Sequence, residues 1–104
     1  MMFRKLYWVT EEIRSDGSST VTGVYTSIPN LIRHGLSRVH DAACLRLSLT
    51  KLDSESGPIA VWAGDMFGRL SSDLVQFVAT EEITEEQATA LVDTIDSLRG
   101  AFVR

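Results

Sequence analysis

The sequence predicts an α+β domain: a mainly antiparallel four-stranded sheet with helices on one face, in the order β-β-α-β-β-α-α. Three observations predict it. Leu45, Leu47 and Leu49 alternate with Arg46, Ser48 and Thr50, the period of a strand with one buried and one wet face. Two polar clusters, 15–19 with its Asp16-Gly17 pair and 53–57, each separate two strand-like runs, so the strands come as hairpins. Residues 84–100 carry the strongest helix signal in the chain. Thr84 and Gln87 have capping-box spacing, and Glu85 and Glu86 complement the helix dipole in the first turn. Ala88, Leu91, Val92, Ile95 and Leu98 then recur on one face, and Gly100 is a natural stop.

The remaining elements follow in order. Residues 3–13 read as a strand whose middle, Leu6 to Val9, is apolar on both sides, as in a central strand. Residues 20–26 are the β-branched return strand, and Gly23 within them marks a bulge or a close backbone approach. Ser27 caps a helix with Pro29 in its first turn. Ile28, Leu31, Ile32, Leu36 and Val39 form its apolar side. Gly35 lies among those apolar positions. It either lets the helix approach the sheet or ends it early, and the longer helix is preferred.

Residues 43–52 form the alternating strand, and 59–63 follow behind Pro58 as its hairpin partner. A loop at 64–68 carries Met66 and Phe67. Residues 71–80 suit a helix, with Leu70, Leu74, Phe77 and Val78 at helical spacing, although Val75, Phe77, Val78 and Thr80 within 74–80 also fit a fifth strand. The helix is the reading adopted here. There is no internal repeat and no linker, so residues 1–104 read as one domain.

Composition narrows the function classes. An apolar fraction of 44% and a charged fraction of 23% are ordinary globular values. A net charge of −4 argues against nucleic acid as partner. Residues 1–52 hold seven Lys/Arg against four Asp/Glu, and residues 53–104 hold three against ten, so an acidic helical half is expected over a mildly basic one. The single Cys44 has no partner for an internal disulfide, which fits a reducing, cytoplasmic setting. No run approaches the ~18 apolar residues of a membrane span.

Chemistry-bearing residues are few. His34, His40, Asp41 and Cys44 are types that hold zinc or activate a nucleophile, and they lie within eleven positions. Their spacing matches no metal or catalytic motif, so a solvated helix face, a loop and a small buried thiol explain them. Glu81, Glu82, Glu85 and Glu86 flank a helix start, where the dipole accounts for them. No phosphate loop is present.

The aromatics carry the main functional expectation. Tyr7 and Trp8 point to opposite sides of the first strand, and Trp62 alternates against Ile59 and Val61. Tyr7, Trp8 and Trp62 are therefore the expected outward-facing interaction surface, unless a loop or the tail 101–104 covers them. The reading is a small cytoplasmic protein that pairs with a protein partner or with itself. No cofactor, metal, nucleic acid or membrane is expected, and the balance is against an enzyme. The alternatives are an enzyme or metal-binding domain built on His34, His40, Asp41 and Cys44, and a small-ligand module at 64–68 lined by Met66 and Phe67.

Overall fold

The strands pair in the spatial order β2-β1-β3-β4, all neighbours antiparallel, in a computed structural model that describes residues 6–51 and 57–100. The strands are β1 (Leu6–Ile13), β2 (Ser19–Tyr25), β3 (Leu45–Lys51) and β4 (Ala60–Ala63). The expected strand start at Phe3, the polar turn at 53–56 and the tail 101–104 lie outside the described residues. β1 is central, as its two-sided apolar run requires, and β2 and β4 are the edges. β2 and β3 run parallel with β1 between them, so the chain crosses from one to the other through a helical segment.

The first hairpin turns at Asp16-Gly17, with Gly17 in the left-handed region at φ 89°. Asp16 accepts from the Ser18 hydroxyl at 2.6 Å and the Ser18 amide at 2.9 Å, and these bonds hold its carboxyl below the usual range. β2 bulges where Thr10 and Glu11 of β1 pair with Gly23 and Val21, leaving Thr22 as the extra residue. Thr10, 1% exposed, meets the Thr22 hydroxyl at 2.9 Å, so the buried hydroxyl is satisfied at the bulge.

The crossover is helical from 28 to 38 but not uniform. It begins as an α-helical turn, α1 (Ile28–Asn30), capped by Ser27, whose side chain accepts from the Asn30 amide. It widens to a π-helical stretch at Leu31–Gly35 and tightens to a 3₁₀ turn at Leu36–Arg38. The longer helix is therefore formed, with Gly35 buried inside it. The reason is the phenol ring of Tyr25, which lies against the Gly35 backbone.

Two helices complete the fold: α2 (Leu70–Ala79), which resolves 71–80 as helix rather than strand, and α3 (Glu85–Gly100). The loop expected at 64–68 is a 3₁₀ helix, Gly64–Arg69. The capping box closes in both directions: the Gln87 amide donates to Thr84 Oγ1 at 3.0 Å, and the Thr84 amide donates to Gln87 Oε1 at 3.1 Å. Replacing Thr84 by alanine is expected to cost about 1 kcal/mol. The check is a melting temperature lowered by roughly 4–8 °C.

The helices cover one side of the sheet. Leu45, Leu47 and Leu49 of β3 meet Ile28, Leu31 and Leu36 of the crossover, Leu70, Leu74 and Phe77 of α2, and Leu91 and Ile95 of α3 in one buried cluster. On this inner side Trp8 and Trp62 stack, with ring centroids 6.3 Å apart and planes 19° from parallel.

Candidate functional site

Strand register decides which side chains face outward. Cross-strand partners share a face, so Trp8 opposite Leu49, and Trp62 opposite Leu47, both point into the core. Trp8 is 2% exposed and Trp62 is 1% exposed. Two members of the expected aromatic surface, Trp8 and Trp62, are thus core residues. The physical reason is that β4 turns its β-branched Val61, opposite Ser48, to the outside and its indole to the inside. That indole is also held from the helical layer: its N–H donates to Asp73 Oδ2 in α2 at 2.9 Å.

Tyr7 pairs with Thr50, and Val9 with Ser48, so both lie on the opposite, outer face. Val24 pairs with Val9, and Val61 with Ser48, extending that face across all four strands. The result is an apolar patch of Tyr7, Val9, Val21, Val24, Ile59 and Val61. Val21 and Val24 are each 56% exposed and Ile59 is 43% exposed. No described helix covers it, because the described helical residues of the core pack against the inner face. Ser48, expected to be wet, is only 5% exposed, since Val9 and Val61 flank it on the neighbouring strands. At one end of the patch Arg46 Nε lies 3.6 Å from Glu11 Oε1, and the Ser19 hydroxyl donates to Glu11 Oε2 at 3.0 Å. Arg46 Nε is buried and has no hydrogen-bond partner, so Glu11 neutralises it by proximity alone.

The polar residues singled out in the sequence come together elsewhere. His34, His40, Asp41 and Cys44 line one surface cleft of about 510 Å³, with Tyr25 and Arg38 on its other walls. Proximity stops short of a metal or catalytic arrangement. Asp41 is engaged as a cap: its Oδ1 accepts from the Ala43 amide at 2.9 Å, and the Cys44 thiol reaches its Oδ2 only at 3.9 Å. Cys44 is exposed rather than buried. Among the described residues, no three His, Cys, Asp or Glu side chains are grouped closely enough to hold a metal ion.

The ligand pocket expected at 64–68 is not lined as the sequence suggested. Phe67 is 3% exposed and belongs to the core, while Met66 is 42% exposed on the surface. One hollow of about 190 Å³ touches this segment at Gly64 and Asp65, beside Asp41 and Arg99.

Of the three aromatics expected on the outer face, Tyr7 lies there and Trp8 and Trp62 do not; the exposed valines Val21 and Val24 were not anticipated. Val21 and Val24 lie on opposite sides by simple alternation, and the Thr22 bulge brings both to one face. No described helix is long and apolar enough to cross a membrane. Compared with protein-family models, curated proteins and solved structures, the chain matches none, so its function has to be read from its own residues.

Proposed function

We propose that this protein is a self-associating interaction module whose outer sheet face docks on the same face of a second copy. The observation that carries this is the uncovered apolar patch on Tyr7, Val9, Val21, Val24, Ile59 and Val61. The largest apolar patch on a typical monomer is about 300–600 Å² and is often functional.

Charge favours a second copy. Glu11 and Arg46 neutralise one another on this face, so two copies meet there without like-charge repulsion. The helical side differs: residues 70–98 carry seven Asp/Glu and no Lys, Arg or His, so two copies repel there. A two-fold axis over the patch then stacks two sheets about 10 Å apart, with Val, Ile and Tyr side chains interdigitating.

Size sets the strength. Three strands of seven or eight residues, about 24 Å each, and the four-residue β4, about 13 Å, at about 4.8 Å spacing give a face of roughly 400 Å². Two such faces bury roughly 800 Å², under the ~1,000 Å² at which specific interfaces begin, so the dimer is weak and concentration-dependent rather than obligate.

Sedimentation equilibrium across roughly 1 μM to 1 mM tests this. The weight-average mass is expected to rise from 11.5 kDa towards twice that value. Val24→Lys is expected to weaken association at least about tenfold while leaving the melting temperature of the diluted monomer unchanged, because Val24 is already 56% exposed. A mass fixed at 11.5 kDa up to the highest concentration refutes the proposal.

A further inference from the structure

The geometry points to a second, independent docking site: the groove between α2 and α3 takes a cationic amphipathic helix of a partner protein. α2 and α3 form a hairpin through the turn at 80–84, where Glu81 adopts φ 62°. Leu74, Phe77, Leu91 and Ile95 are spent on the core. What the pair leaves facing water is a hollow of about 580 Å³ floored by Val75, Val78, Ala79, Ala88 and Val92. It is a hollow because Ala79 and Ala88 are too small to fill it. Val75 stands 63% exposed at its edge, more than any other large apolar side chain among the described residues.

The rim names the partner's charge. Glu85 and Asp93 border the hollow, and Glu86 continues the same sign into an adjoining depression. Acid predominates around them: residues 70–98 hold seven carboxylates, and the nearest basic residues in sequence are Arg69 before α2 and Arg99 at the far end of α3, 3.9 Å from Asp96. Asp73 is engaged with the Trp62 indole and Asp96 with Arg99, while Glu85 and Asp93 border the hollow itself. An apolar floor with an acidic margin along its α3 side is complementary to a helix with an apolar stripe bordered by Lys or Arg. Two packed helices present a furrow in which a third sits about 8–10 Å from each. α2 has 10 residues, about 15 Å at 1.5 Å each, which accommodates nearly three turns of a docked helix. Nucleic acid and anionic lipid are repelled by this margin, and so is the same margin of a second copy. The site does not use the outer sheet face, so it stands or falls separately from self-association.

The probe is a synthetic 18-residue peptide with leucines at helical spacing flanked by lysines. Two controls accompany it: a scramble of the same composition, and a version with glutamate in place of lysine. The full chain is titrated by fluorescence anisotropy and by amide NMR. The leucine–lysine peptide is expected to bind at least about tenfold more tightly than its scramble, to lose about tenfold between 50 and 500 mM salt, and to shift the signals of Val75, Val78, Ala88 and Val92. Glu85→Lys/Asp93→Lys is expected to reject the lysine peptide and accept the glutamate one. Val75→Ser, at an exposed position that the fold does not use, is expected to weaken binding with an unchanged melting temperature. Equal binding of peptide and scramble, shifts confined to the sheet face, or a charge-reversed variant that keeps its preference for lysine would each overturn the proposal.

Discussion

Trp62→Ala is expected to remove a large share of the protein's stability at 25 °C. Removing a fully buried tryptophan costs about 3–5 kcal/mol, of which part is lost transfer energy and part the cavity left behind. A chain of 104 residues has a total stability of about 5–15 kcal/mol. Trp62 also has more to lose than area. It stacks on Trp8 at 6.3 Å and donates to Asp73 at 2.9 Å, so it ties the edge strand β4 both to the central strand β1 and to α2. Trp62→Phe separates these roles. It keeps most of the ring but deletes the N–H, leaving the half-buried Asp73 carboxylate without that donor, for an expected loss of about 1–3 kcal/mol. Guanidinium unfolding gives the two free energies. Near-ultraviolet circular dichroism gives the stacking, because two indoles this close couple, and that coupled signal is expected to vanish in either variant. A Trp62→Phe protein as stable as the parent, with an unchanged aromatic spectrum, contradicts the packing described for β4.

The fold was largely legible because most elements announce themselves locally. The Thr84–Gln87 box, the Asp16-Gly17 turn and the alternation of 45–50 are each decided by residues within a few positions, and each forms as its chemistry dictates. The facing of the tryptophans was not legible for a non-local reason. Ile59, Val61 and Trp62 are all apolar, so alternation alone leaves either side as the candidate inner face. Register against β3 decides it, and register is a property of the hairpin partner rather than of the strand. The same holds for Val21 and Val24, which share a face only because one bulge residue intervenes. The cleft that gathers His34, His40, Asp41 and Cys44 was likewise hidden, since its walls come from β1, β2 and the crossover together. Locally coded features survived translation into structure; features set by pairing did not.

Gly23→Ala is the second large effect, and its sign runs against ordinary propensity. Alanine normally improves on glycine in a strand or helix by about 0.5–1 kcal/mol. Here Gly23 and Tyr25 sit two residues apart on the inner face, and the phenol ring leans back over the glycine, so an added Cβ meets ring carbons and the hydroxyl oxygen. The ring has little freedom to yield. The same ring edge also lies against Gly35 of the crossover, where a Cβ would stand 2.8 Å from Tyr25 Cε2. Clearing one glycine must therefore be compatible with staying clear of the other, and with Trp8 opposite on β1. Overpacking of this kind costs about 1–3 kcal/mol, so Gly23→Ala and Gly35→Ala are each expected to destabilise despite the gain in backbone propensity. The decisive measurement is a double-mutant cycle on Tyr25→Ala. Without the ring, both glycine substitutions are expected to become neutral or stabilising, and the coupling energy to exceed about 1 kcal/mol. Additive free energies would mean that Tyr25 does not set the approach of the crossover to the sheet.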